Sequence, residues 1–135
     1  YGPRMRKDDG RVVSTFIVQA HANQPLTVFG DGSQTRSFCY VSDLVAGIYK
    51  LMHSDVYYPI NLGNPEEIPI LELARRIIKM TRSKSKIVYK PLPQNDPRCR
   101  RPDIEKARLQ LEWSPEVSLN EGLARTIDWF SKLSR

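Results

Sequence analysis

Arginine is the residue type in this sequence best placed to do chemistry, and its members are grouped. Arg4, Arg6, Lys7 and Arg11 stand near the start, Arg36 lies between Thr35 and Ser37, and Arg98, Arg100 and Arg101 fall in a proline-rich run. A guanidinium is planar, offers five donors and keeps its charge at any working pH, so it grips a phosphate or carboxylate through paired hydrogen bonds. Two local basic clusters suit a compact anion better than a long groove. The formal charge of +6 and the isoelectric point near 9.5 do not choose between a small phosphorylated ligand, nucleic acid and acidic lipid.

Bond-making groups are scarce. The acidic residues show no paired-carboxylate arrangement, and His21 and His53 fall on expected helices without metal-ligand neighbours, so no catalytic or metal-binding residue is assigned. Cys39 sits in an apolar strand-like run and Cys99 between arginines. Neither metal-ligand spacing nor a disulfide framework results, which points to free thiols in a reducing compartment.

The elements that must position these residues follow from periodicity. Val12, Val13, Phe16, Ile17 and Ala20 recur at three- and four-residue steps, predicting an amphipathic helix over 12–22 that Pro25 stops. Leu26–Phe29 and Arg36–Val41 read as two strands separated by Gly30-Asp31-Gly32-Ser33-Gln34. Ser42 and Asp43 are expected to cap a helix carrying Leu44, Val45, Ile48, Leu51 and Met52. A short strand and a Gly-Asn-Pro turn are expected over 59–65, and then a helix with Pro69 in its first turn and Leu71, Leu73, Ala74, Ile77 and Ile78 on its core face.

Ile87-Val88-Tyr89 reads as one more strand. Pro91, Pro93, Pro97 and Pro102 then keep the chain extended or turning, and a loop of that length in a small domain is usually functional. Asp103 can cap a helix running through Leu111, and Ser118 with Glu121 forms a capping box for a last helix bearing Leu119, Leu123, Ile127 and Phe130. The 135 residues, 40% hydrophobic and 27% charged, amount to one globular unit of mixed α/β class, residues 1–135, with one core of moderate size. No run of about 18 apolar residues suggests a membrane span, and Tyr1-Gly2-Pro3-Arg4 lacks an apolar leader core.

Seven stretches, read in order, carry a resemblance. They are Tyr1-Gly2-Pro3-Arg4-Met5, Asp9-Gly10-Arg11-Val12-Val13-Ser14, Pro25 through Gly32, Gln34-Thr35-Arg36-Ser37-Phe38, Tyr40-Val41-Ser42-Asp43-Leu44-Val45, Asn61-Leu62-Gly63-Asn64-Pro65-Glu66, and Asp96-Pro97 through Arg100-Arg101-Pro102-Asp103-Ile104. Together they resemble the C-terminal part of UDP-glucuronate decarboxylases, within the extended short-chain dehydrogenase/reductase (NAD-dependent epimerase/dehydratase) family. The fold implied is the substrate-binding lobe of a Rossmann-type enzyme. The family's glycine-rich dinucleotide turn and its Tyr-x-x-x-Lys are not in this sequence: no Tyr is followed four residues later by Lys, and Gly30-x-Gly32 lies between strands without a third glycine.

The resemblance also implies roles. Arg36 is expected to hold the diphosphate of a UDP-sugar, and Arg100, in its Arg100-x-Pro102 register, to close over it, with Arg98 and Arg101 as the alternatives. Thr27 and Phe29 would meet the nucleobase, Phe29 standing where the family often has Tyr. Arg11 matches a position near the cofactor, NAD. Arg6 replaces a more usual His or Cys and is expected to attract the cofactor's diphosphate. In the complete enzyme the implied reaction is oxidation of UDP-glucuronate at C4 by NAD, loss of CO₂ and reduction to UDP-xylose, with 4,6-dehydration or 4-epimerisation as the alternative chemistry. This chain is expected to be inactive alone, to lack its N-terminal Rossmann lobe as partner, to form homodimers, and to work in the cytoplasm, or in the Golgi lumen if an upstream anchor exists in a eukaryote. The rivals of another class are a nucleic-acid-binding module and a non-catalytic dimerisation module.

Overall fold

Helix α1 (Val12–His21) forms where the apolar stripe predicts it, with Val13, Phe16, Ile17 and Ala20 turned into the core. Its first turn is closed by Asp9, whose Oδ1 accepts the Arg11 N–H at 3.0 Å and the Ser14 hydroxyl at 2.7 Å. These bonds, that of Ser14 foremost, hold the Asp9 carboxyl below the usual carboxylate range. The structure is a computed structural model that describes residues 1–94 and 96–133.

Strand β1 (Leu26–Phe29) follows, then β2 (Thr35–Ser37), helix α2 (Val41–Met52), β3 (Glu67–Pro69), α3 (Ile70–Thr81), β4 (Ile87–Lys90), α4 (Glu105–Leu111) and α5 (Leu119–Leu133). The first two strands do not pair with each other. β1 runs parallel to β4 in the register Leu26↔Ile87 to Phe29↔Lys90, and β2 lies antiparallel to β3 in the register Thr35↔Pro69 to Ser37↔Glu67. Each strand thus finds its partner far along the chain.

Four expectations about local structure are corrected. The strand expected over 36–41 stops at Ser37, and Val41 already begins α2. Ser42 and Asp43 do not cap that helix, because Tyr40 occupies the N-cap position and makes no side-chain cap bond. The strand expected within 59–65 does not form, since Ile60 and Leu62 pack instead against the cluster of Ile104, Ala107, Leu111 and Trp113. Pro69 sits one position before the first turn of α3, as its N-cap.

Asp43 is instead buried and reaches the far end of the sequence. Its Oδ2 accepts the Glu116 N–H at 3.2 Å and the Val117 N–H at 3.0 Å, while its backbone carbonyl accepts the Trp113 indole N–H at 2.9 Å. One carboxylate therefore ties the segment between α4 and α5 onto α2. Replacing Asp43 with Ala leaves two N–H groups without that acceptor and is expected to cost about 1–3 kcal/mol, read as a lower urea midpoint; Asp43→Asn, which keeps one acceptor, should lose less. Equal midpoints for Asp43→Ala and the parent would contradict this.

The main core lies where α1, α3 and α5 meet β1, around Phe16, Ile17, Leu26, Leu73, Leu123 and Phe130. Burying a large apolar side chain contributes roughly 1.5–3 kcal/mol, so these elements form a rigid base for the loops above them. One helical face stays uncovered. On α2, Val45 is 58% exposed and Met52 75% exposed, with Val41, Ile48 and Tyr49 alongside. Among the described residues no helix is long and apolar enough to cross a membrane.

Candidate functional site

Two loops rise from the sheet pairs and face each other. The first joins β1 to β2, and its shape is set by Gly30 and Gly32, with φ of +64° and +78°. Asp31 Oδ1 accepts the Ser33 N–H at 2.9 Å and the Ser33 hydroxyl at 2.6 Å, a side-chain turn that tightens the loop. Its carbonyls then meet the start of α3: Leu71 N–H donates to Gly32 O at 3.0 Å and Ile70 N–H to Gln34 O at 3.1 Å. Helix-start donors that would otherwise lack partners thereby anchor the loop.

The second loop is the proline-rich segment after β4. It crosses back over β2, where the Thr35 N–H donates to Arg98 O at 2.9 Å and the Ser37 hydroxyl to Arg100 O at 3.2 Å. Between the two loops is a cavity of about 740 Å³, within the range of small-molecule sites. Thr27, Phe29 and Phe38 supply part of its wall, and Arg36, Arg100 and Arg101 its positive charge.

Within it, Arg36 is half-buried and engaged. Its Nη2 donates to Asp96 Oδ1 at 2.6 Å and its Nη1 to the Thr35 carbonyl at 2.7 Å. This charge-assisted pair, with side chains only 15% and 27% exposed, is shielded better than a surface ion pair and fixes the guanidinium plane. Gln34 is 8% exposed, and its Nε2 donates to Phe29 O at 2.8 Å, bracing β1 against the glycine loop.

The Leu26 and Gly30 N–H groups point toward β4, donating to Lys86 O and Lys90 O. Alternation along a strand then turns the backbone of Thr27 and Phe29 to the opposite edge. On that edge the Thr27 N–H is held by Gln19 Oε1 at 3.2 Å. Phe29 is 44% exposed.

The candidate residues named from sequence divide into two groups. Arg36, Arg100, Thr27 and Phe29 all line the cavity, joined by Arg101, while Arg98 meets β2 through its carbonyl. Arg6 and Arg11 lie outside it, exposed on the N-terminal segment, where Arg6 pairs with Asp8 at 3.0 Å and Arg11 with Asp9 at 3.7 Å. That segment still reaches the cavity through Gly10 and Val12. Gln34 and Asp96 are not distinguished as site residues by the sequence. Their only signal was membership of the two motifs that contain Arg36 and Arg100.

Among the described residues no group of three or more His, Cys, Asp or Glu could hold a metal. Gly32 allows a close approach of the loop to α3: a Cβ there would lie 2.8 Å from Leu71 Cβ and 2.9 Å from Val28 Cγ1. Chemically the cavity can bind and orient a ligand that combines negative charge with a flat ring.

Comparison with known proteins places sequence and fold beside nucleotide-sugar enzymes. Residues 1–63 match the model of the NAD dependent epimerase/dehydratase family. The chain is 55% identical over 132 residues to UDP-glucuronic acid decarboxylase 1 of Danio rerio, covering 98% of this chain and 32% of that protein. To UDP-glucuronic acid decarboxylase 1 of Arabidopsis thaliana it is 52% identical over 130 residues, 96% of this chain and 30% of the relative. The chain thus spans about a third of the length of the curated relatives it matches.

Among solved structures, the UDP-glucose 4-epimerase of Thermotoga maritima with UDP-glucose superposes at a TM-score of 0.95 and 31% identity, covering 100% of this chain and 44% of that one. The UDP-glucuronic acid 4-epimerase of Bacillus cereus, in complex with UDP-glucuronic acid and NAD, gives a TM-score of 0.90 at 32% identity over 98% of this chain and 43% of that one. The fold is therefore the mixed α/β arrangement found in a part of these Rossmann-type enzymes.

Proposed function

We propose that the chain, whose residues 1–63 match the NAD dependent epimerase/dehydratase family, is a member of that family and the nucleotide-sugar-binding part of a UDP-glucuronate decarboxylase. The observation that carries this reading is the convergence of Arg36, Arg100 and Arg101 on one cavity whose walls include Phe29 and Phe38. Forked guanidiniums suit a diphosphate, and an aromatic face beside the edge of β1 suits a pyrimidine. Thr27 and Phe29 would meet the base, and Arg100 would close over the phosphates that Arg36 holds.

In this reading the chain orients and does not react. Anchoring the diphosphate fixes the sugar relative to the rest of the protein, and ideal orientation is worth up to about 7–11 kcal/mol of a barrier. Hydride removal at the sugar's C4 and its return after CO₂ is lost is the chemistry that NAD supplies when bound. Within this chain the groups available to the cofactor's diphosphate are Arg11 and Arg6, exposed beside the Gly10 wall. The N-terminal Rossmann lobe outside this chain would hold the remainder and cover the apolar face of α2, and the complete protein would be a homodimer. Alone, the chain would be inactive. Its two unpaired thiols, Cys39 and Cys99, suit the cytoplasm.

The decisive experiment incubates the full-length protein with NAD and UDP-glucuronate and follows products by NMR. UDP-xylose and one equivalent of CO₂ are expected. UDP-galacturonate without CO₂ would make it a 4-epimerase, a reading favoured by the solved structures it superposes on, and binding of duplex DNA with a steep salt dependence but no UDP binding would replace both.

A further inference from the structure

Arg100 is carried by a segment without regular secondary structure, so something must keep it over the cavity. Two bonds from β2, the Thr35 N–H to Arg98 O and the Ser37 hydroxyl to Arg100 O, do part of this. Besides the Arg36–Asp96 pair, a further tie comes from side chains. Cys99 Sγ donates to Glu67 Oε1 at 2.8 Å, and the same oxygen accepts the Thr35 hydroxyl at 2.6 Å. Glu67 is itself set by the pairing of β3 with β2, opposite Ser37. One carboxylate oxygen therefore joins the strand that carries Arg36 to the loop that carries Arg100.

We propose that Glu67 is a positioning residue for anion binding, acting through Cys99 and Thr35 to hold the arginine loop in its binding-ready place. The proposal rests on the reading of the cavity as a uridine diphosphate site. Fixing one backbone residue costs roughly 1–2 kcal/mol of conformational entropy, and a loop fastened before the ligand arrives has already met that cost. The electrostatics point the same way: the bonds from Cys99 and then Thr35 hold the Glu67 carboxyl below its usual range, and the bond to Glu67 pushes the Cys99 thiol up, so the thiol stays a donor. Glu67, Cys99 and Thr35 are not part of the cavity lining, whereas Arg36 is, which separates the effect of the latch from that of Arg36.

The test uses the full-length protein and its Glu67→Ala, Glu67→Gln and Cys99→Ala variants, each titrated with uridine diphosphate and with uridine. Glu67→Ala and Cys99→Ala are expected to weaken uridine diphosphate about 3- to 10-fold, the effect of one or two lost hydrogen bonds, and to leave uridine unchanged. Glu67→Gln keeps an acceptor oxygen and should stay within about twofold of the parent. A second readout needs no ligand: the rate at which a maleimide modifies Cys99, mapped by mass spectrometry, should rise several-fold in Glu67→Ala. Unchanged affinity with an unchanged labelling rate overturns the latch, and equal weakening of uridine and uridine diphosphate reduces it to a general structural effect and overturns it too. Failure of the parent protein to bind uridine diphosphate, with labelling still accelerated in Glu67→Ala, overturns the ligand reading and leaves the latch standing as a loop fastener.

Discussion

Replacing Arg36 with alanine is expected to weaken uridine diphosphate binding by on the order of 100-fold, the largest functional loss of any single change in the chain. Each hydrogen bond to a charged group contributes roughly 1.5–3 kcal/mol, and a forked contact makes two of them, while every 1.4 kcal/mol is a factor of about ten. A further effect adds to this. In the free protein Arg36 neutralises Asp96 at 2.6 Å, so removing the guanidinium leaves an unpaired carboxylate inside the anion site. The double change Arg36→Ala with Asp96→Asn should therefore recover part of the loss, about tenfold, although it removes one more charged group. Arg36→Lys keeps the charge and loses the fork, and should fall between the two. Calorimetric titration at two salt concentrations separates these terms, and a Kd for Arg36→Ala within threefold of the parent would remove Arg36 from the site.

The largest structural loss is expected at Gly32. Alanine there must adopt φ near +78°, and its Cβ would stand 2.8 Å from Leu71 Cβ, 2.9 Å from Val28 Cγ1 and 3.2 Å from the Leu71 backbone nitrogen. The left-handed conformation costs roughly 1–2 kcal/mol and overpacking typically about 1–3 more. Urea unfolding should thus show a loss of about 2–5 kcal/mol. Gly10 provides the control, because it has φ of +73° with nothing within 4 Å of an added Cβ, so Gly10→Ala should carry the conformational cost alone. If both variants unfold at the same urea concentration, the packing argument at Gly32 fails.

Some of this was legible in sequence and some was not, for identifiable reasons. The stripes of α1, α3 and α5 are local patterns of apolar spacing, and the observed helices follow them closely. Asp43 shows the limit. Its type and place before an apolar run predict a helix cap, yet its carboxylate serves the backbone of Glu116 and Val117, which no local pattern reveals. The strand expected near Ile60 fails similarly, since a strand exists only when a partner pairs with it. At the site, Arg36 and Arg100 were found through motif resemblance, whereas the contacts that hold them, to Asp96 and from the Glu67 latch, join distant parts of the chain through ordinary surface residue types. Composition and periodicity do not distinguish such residues from solvated ones.

The parallel pairing of β1 with β4 has a kinetic consequence. Parallel strands cannot be joined by a tight hairpin, and here β2, α2, β3 and α3 all intervene before Leu26 meets Ile87. Contacts that close so large a loop come at a high entropic cost and form late. The cavity walls at Phe29 and the proline-rich loop after Lys90 both hang from the exit ends of those two strands. The ligand cradle would then be among the last parts of the molecule to assemble and, on unfolding, among the first to come apart, so that a bound diphosphate acts chiefly by slowing unfolding and adds little to the speed of folding.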